Sequence, residues 1–545
     1  MAAPAATVHI PPSAGRRPAR FDEEAPVADP GAYPYRDLRD YLHTLDGEGL
    51  LHHVDRPVDK DAELVPLVRL QFRGLPAEQR RAFHFTHPTD ARRRTYRGSV
   101  LIGGFAASRA VYATALACPP DAVADRWATA FDHPVEPETV ATGPCKEHVL
   151  TGRALLDAGG VTAFPHPVST PGFDPAPFLT AACWVTRDPE DGTYNLGIYR
   201  GMIKGPDRVG LQMDTPTQHI ALHLAKARRA GRRLQAALVL GAVPAVGFSA
   251  AQKVPYGVSE YAIAGGLMGR PLDVVRCETV DLVVPAHAEI VIEGEIDPTH
   301  LESEGPFGEA SGYMGPRTNS PVLEVTAVTH RTAPVVQAFI SEFPPSESTL
   351  MRKIAFENVY LRFLRQSCNI GSVRRVVTHE YGTCNMFFVI QLSNPTAGQA
   401  RQALYATSGY EASMGKTIIA VDDDIDPEDL DAVVWAMSFR MQPARDVTVL
   451  PGKLPRLDPS AATDGSVASS SALLIDATRK APYPPTSLPA RPYMERARAL
   501  WDDLGLPPLQ LATPWHGYEL GAWSDEDRRA AEAAVRGELP PRADH

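Results

Sequence analysis

The chain has 545 residues, more than one ordinary hydrophobic core accommodates, so two or three domains are expected. Hydrophobic residues make up 44% and charged residues 22%, as in globular proteins, and no apolar run reaches the ~20 residues that a bilayer span needs. Net charge is −11, and the candidate basic patch, KARRAGRR at 226–233, reads as a helix end running into a Gly turn without interleaved aromatics, which argues against nucleic-acid binding.

Residues 1–31 are rich in Pro, Ala and Arg and lack the apolar core of a secretory signal, which predicts a disordered leader. Six cysteines lie far apart with no Cys-x-x-Cys pair, arguing against a zinc ribbon or disulfide framework and for a reducing, cytoplasmic setting. Leu38, Tyr41, Leu42 and Leu45 recur at helical spacing, Asp46-Gly47 ends that helix, and 50–54 reads as a short strand. A helix is predicted over 106–117, closed by Pro119-Pro120. Strands are predicted at 180–186, 194–202, 208–213, 272–277, 282–284, 289–294 and 322–329, with helices at 218–229 and 259–268 between them. The apolar run 236–246 fits a buried strand or a core helix.

So many short strands predict a barrel-like sheet decorated with helices, over about 130–335 within a unit 32–335. Beyond SEFPPSES (341–348) helix and strand alternate: 349–365, 373–377, 386–392, 397–406 and 417–421. That pattern predicts a second, α/β domain at 336–485, followed by a Pro-rich tail at 486–545 with helices at 493–504 and 524–536.

Three segments carry unusual polar groups among glycines. YNLGIYRGMI holds Asn195 and Arg200, which face opposite sides of a regular strand; a bulge or bend near Gly197 would let both serve one site. An ordinary strand with a solvent-facing Arg fits the segment equally. In the second, His219 lies in the first turn of one helix and Glu260 begins another after Ser259. An amide oxygen, an imidazole and a carboxylate form a mixed O/N set suited to Mn2+ or Mg2+. A first-turn His and a capping Glu also occur as purely structural groups. In the third, LESEGPFGEASGYMGP, Glu304 and Glu309 flank a Gly/Pro turn. Carboxylates in such a loop suit proton transfer, although surface glutamates on a connecting loop would read the same way.

Taken together, NLGIYR (195–200), GVSEYAIAG (257–265), CETVDLVVPAHAEIVIEGEI (277–296), EGPFGE (304–309), the 418–446 segment and IDATRK (475–480) resemble, in order, the UbiD family of reversible decarboxylases. The resemblance implies prenylated FMN, supplied by a flavin prenyltransferase, and Mn2+ (or Mg2+) held by Asn195, His219 and Glu260. It implies K+ near a loop at 249–252, although Lys253 to Tyr256 and Gly201-Met202 depart from the expected residues. Leu196, Gly197, Ile198, Tyr199, Arg200 and Gln218 would line the cofactor, and Lys416 would contact its phosphate. Arg200, Glu304 and Glu309 would form the catalytic network, with Glu309 as proton donor. The substrate would be an α,β-unsaturated or (hetero)aromatic carboxylic acid, with QHI (218–220) similar to ferulic acid decarboxylases, and the assembly a homodimer or homohexamer. Substrate specificity is expected from the second domain, at 387–392 or 437–441. A metal-dependent hydrolase without flavin and a non-catalytic assembly subunit of the same fold are the rival readings.

Overall fold

Leu38, Tyr41, Leu42 and Leu45 are all buried on one face of the first helix, Leu38–Gly47. Asp37 caps it, its carboxylate accepting from the N–H groups of Arg39 and Asp40. The computed structural model describes residues 33–538 apart from 97, 214, 253, 397, 455–456 and 462–468. The leader expected at 1–31 lies outside the described residues, as does Lys253.

A nine-stranded, largely antiparallel sheet curls into a half-barrel. Its order runs from Tyr194–Ile198 through Cys183–Arg187, Leu234–Leu240, Ile290–Glu304, Thr318–His330, Arg208–Leu211 and Gly201–Gly205 to Phe178–Leu179, with His148–Thr151 added beside Thr318–His330. The apolar run at 236–246 divides between strand Leu234–Leu240 and helix Pro244–Ala251.

The strand expected at 194–202 is interrupted. Tyr194–Ile198 pairs with Cys183–Arg187, whereas Gly201–Gly205 pairs with Arg208–Leu211 and Phe178–Leu179. The break falls at Tyr199-Arg200 rather than at Gly197. It frees Arg200 from strand alternation, so that Asn195 and Arg200 can face one space.

Helix Glu260–Met268 is buried along its whole length. Gly265 and Gly266 let it approach helix Val123–Asp132 and the turn that follows: a Cβ at Gly265 would lie 2.2 Å from the Val135 carbonyl oxygen, and one at Gly266 2.7 Å from that of Ala130. This close packing fixes where Glu260 sits.

A second sheet, of five strands, follows in the order Val373–Thr378, Phe387–Leu392, Thr417–Asp422, Ser470–Asp476, Val447–Lys453. Its three central strands are parallel and both edges antiparallel. Helix Glu347–Arg362 joins the two halves. Leu350, Met351 and Ile354 enter the core that runs back to Tyr33, while Ala355, Phe356 and Tyr360 enter the core of the second sheet. Among the described residues no helix is long and apolar enough to cross a membrane. All six cysteines are free. The basic cluster ends helix His219–Arg229 as expected, with Lys226, Arg229 and Arg233 each ion-paired to acidic side chains.

Candidate active site

A cavity of about 450 Å³ lies between the half-barrel and the start of the second half of the chain. Asn195, Leu196, Gly197, Ile198, Tyr199 and Arg200 form one wall. Gln218, His219 and Glu260 stand on the same cavity at two helix starts, and Glu309 reaches it from the loop after strand Ile290–Glu304.

Asn195 is 2% exposed and Glu260 3%. Glu260 Oε2 accepts from the Leu196 N–H at 3.1 Å, and its Oε1 lies 3.8 Å from His219 Nδ1. Burial pushes the Glu260 carboxyl up to about 7, only partly offset by backbone N–H groups. Burial pushes His219 down, favouring its neutral, metal-ligating form. The Glu260–His219 separation is too long for a hydrogen bond and leaves both side chains turned to one spot. A buried carboxylate and an imidazole turned to one spot, on a cavity that the Asn195 amide also lines, with no Lys or Arg paired to Glu260 among the described residues, are chemically suited to a small divalent cation.

Tyr199 folds back over its own strand, so that a Cβ at Gly197 would stand 2.6–2.7 Å from the phenol ring. Gly197 therefore has a packing reason as well as a cavity-facing one.

Opposite lies the acid network. Arg200 Nε and Nη2 bind the two Glu304 oxygens at 3.0 and 2.7 Å, a bidentate pair, and Nη1 binds Glu309. Glu304 is 0% exposed, so it serves to hold the guanidinium, whereas Glu309 lines the cavity. Phe307 closes the underside, its ring 5.1 Å from the Arg200 guanidinium. One arginine thus fixes a buried carboxylate and an accessible one in a single plane of contacts.

Lys416 is placed elsewhere. Its Nζ donates to Asp458 Oδ2 at 2.8 Å and Ser460 Oγ at 2.7 Å, and it is absent from the cavity lining. Residues 249–251 are the last turn of helix Pro244–Ala251, not a loop; Ser249 Oγ and Gln252 Oε1 are buried with no partner among the described residues. The segments expected to set specificity, 387–392 and 437–441, form the second sheet and helix Leu430–Arg440, away from the cavity. In their place Met351, Arg352, Phe356, Glu411 and Ser413 line it. No motif marked these residues. Arg352 sits mid-helix, where a charged side chain reads as solvent-facing, and only the packing of helix Glu347–Arg362 across both halves turns it inward.

Comparison with known proteins identifies the class as carboxy-lyases. Residues 138–343 match the UbiD model, described as the 3-octaprenyl-4-hydroxybenzoate carboxy-lyase Rift-related domain, and 350–477 match the C-terminal domain of the same enzymes. The UbiD-class enzyme HmfF from Pelotomaculum thermopropionicum, in complex with FMN, is 34% identical over 81% of this chain and 94% of its own, with a TM-score of 0.72. An evolved dimeric form of HmfF has been solved with prFMN. The vanillic acid decarboxylase of Sedimentibacter hydroxybenzoicus, in its closed form, is 27% identical over 86% of this chain and 99% of its own, with a TM-score of 0.73. A phenolic acid decarboxylase of Escherichia coli O157:H7 is 29% identical over 82% of this chain and 92% of its own. The chain belongs to the UbiD family of decarboxylases.

Proposed function

We propose that this protein is a reversible, non-oxidative decarboxylase of an α,β-unsaturated or (hetero)aromatic carboxylic acid, working with prenylated FMN. The observation that carries the reading is the Arg200–Glu304–Glu309 network facing a cavity whose other wall bears Asn195, His219 and Glu260. HmfF bound to FMN and to prFMN, and relatives named for phenolic and vanillic acids, support the cofactor and the substrate class.

Asn195, His219 and Glu260 would hold Mn2+ (or Mg2+), and Leu196 to Tyr199, with Gln218, would line the flavin. The unpartnered Ser249 and Gln252 oxygens at a helix C-terminus suit K+. When bound, prenylated FMN supplies the electron-accepting centre that draws off the charge left when CO2 departs. The chain's own residues do the rest. Arg200 orients the acid and keeps Glu309 in place. Protonated Glu309 then delivers a proton to the carbon that has lost its carboxylate, and the ionised Glu309 is re-protonated from solvent for the next turnover. Glu304, fully buried, stays as the counter-charge that keeps Arg200 in position. A flavin prenyltransferase would supply the cofactor, and a homodimer or homohexamer is the proposed assembly.

Protein produced together with a flavin prenyltransferase tests this directly. Glu309→Gln is expected to keep the flavin's near-UV and visible absorbance and to lose decarboxylation by at least about a hundredfold. Undiminished activity in that variant would remove Glu309 from the reaction and favour a different use of the fold.

A further inference from the structure

The loop that carries Glu309 is braced from behind by residues on three other segments. Gly308 has no room behind it: a Cβ there would lie 2.6 Å from Glu342 Cγ and 2.8 Å from Thr170 Oγ1. Gly312, on the far side of the same turn, is equally tight against the ring of Phe343, at 2.7 Å. Glu342 and Phe343 belong to the strap between strand Val335–Ala338 and helix Glu347–Arg362, and Ser341 beside them lines the catalytic cavity.

The strap is itself clamped by helix Leu64–Gly74. Arg69 Nη2 binds Glu342 Oε2, and its Nη1 donates to the carbonyl oxygens of Phe343 (2.8 Å) and Pro345 (3.2 Å). Arg73 donates to the Pro344 carbonyl at 3.2 Å and lies 4.9 Å from the Phe343 ring. On the third side Asp174 Oδ2 accepts from the Thr170 N–H at 2.7 Å. Among the described residues, three buried oxygens in this cluster, Thr170 Oγ1, Asp174 Oδ1 and Glu342 Oε1, have no hydrogen-bond partner. Leaving such atoms unsatisfied costs stability, roughly 1–3 kcal/mol each, so a purely structural brace would be better built from apolar residues. Burial also pushes Glu342 up, and burial with the Glu342 charge nearby pushes Asp174 up to about 6.

We infer that Glu342, set by Arg69 and assisted by Asp174, is a positioning residue for the proton donor: it fixes the Gly308-Glu309 backbone and places negative charge behind it. This rests on the reading of Glu309 as the donor. The charged groups around the Glu309 loop are then Arg200 and Glu304 on the cavity side, and Asp174, Glu342, Arg69 and Arg73 behind. Arg69 and Arg73, on helix Leu64–Gly74, lie outside the residues matched by the family models, 138–343 and 350–477.

Glu342→Gln changes charge with little change of shape, and Arg69→Met releases the strap. In cofactor-loaded protein, Glu342→Gln should lower kcat roughly ten- to a hundredfold with KM within about twofold. The high-pH limb of its kcat profile should move to lower pH, because one negative charge behind the donor has gone. Both variants should speed hydrogen–deuterium exchange across 305–315, where Glu309 N–H donates to Tyr313 O and Gly312 N–H to Glu309 O. That readout needs no cofactor. Wild-type kinetics and an unmoved pH profile in Glu342→Gln, or unchanged exchange in both variants, would overturn the inference. An inactive wild type would instead count against the decarboxylase reading, leaving the exchange result to judge the brace alone.

Discussion

Arg200 has three of its donors committed to two carboxylates, and that arrangement explains why it should not tolerate lysine. Lysine offers one ammonium where the guanidinium offers a planar fork, so Arg200→Lys leaves Glu304, buried and 0% exposed, with a poorer counter-charge. The expected outcome is a loss of kcat of at least about a hundredfold and a lower melting temperature, read by steady-state kinetics and thermal unfolding. Gly197→Ala offers a separate test of the opposite wall. Its Cβ would collide with the Tyr199 ring, which must swing into the cavity, so flavin occupancy should fall while the circular dichroism spectrum stays unchanged. The residue types of both walls were legible in the sequence, because Asn, His and Glu on glycine-bounded elements state a ligand chemistry. Lys416 was not. A lysine before a strand looks like an anion contact until Asp458 and Ser460 are seen to engage it.

Among the elements, helix Leu38–Gly47 was visible as periodicity, helix Glu260–Met268 by its start at Ser259-Glu260, and most strands as short turn-bounded runs, although the strand expected at 289–294 continues to Glu304. The break at Tyr199-Arg200 was not visible, since it depends on which strands the two pieces pair with, a long-range property. Two other buried carboxylates, Glu289 and Glu293, were equally silent. Glu289, which binds Arg39 at 2.8 Å, and Glu293, which accepts from the N–H groups of Glu278 and Thr279, are structural acids inside a family signature. Helix Glu260–Met268 makes a prediction of its own: Gly265→Val forces it from Val135 and should lower the melting temperature by several degrees, consistent with ~1–3 kcal/mol of overpacking, and weaken binding of the proposed Mn2+ with it.

Glu347 supplies a test of pH linkage at the same scale. It is 0% exposed, accepts from the N–H groups of Gly103 and Phe105, and burial pushes its carboxyl up to about 7 from the usual 4.5. The folded state therefore keeps a proton that the unfolded chain releases. This group's contribution is fully present below about 4.5 and is lost as pH rises towards about 7. Glu347→Gln should consequently gain stability relative to wild type as pH is raised through that window, by up to ~3 kcal/mol in paired denaturation curves. A constant difference between the two proteins would mean that Glu347 titrates normally.

For the whole molecule, the two cores meet along helix Glu347–Arg362, and ion pairs reach across: Arg109 with Glu428 at 2.9 Å, and Arg362 with Asp132 at 2.8 Å. The candidate cavity lies at this junction, which is why no single segment of sequence announced its second side. Met351, Arg352 and Glu411 meet there only once both halves have folded. On the proposed reading, the acid accepted is set by the junction rather than by any motif. The most direct measurement is CO2 release from a panel of acrylic, phenolic and heteroaromatic acids, by protein produced with and without a flavin prenyltransferase. Release from at least one acid, confined to the prenyltransferase-loaded protein, is the predicted result. Equal release by flavin-free protein, or none from a fully loaded protein on any of the acids, would contradict it.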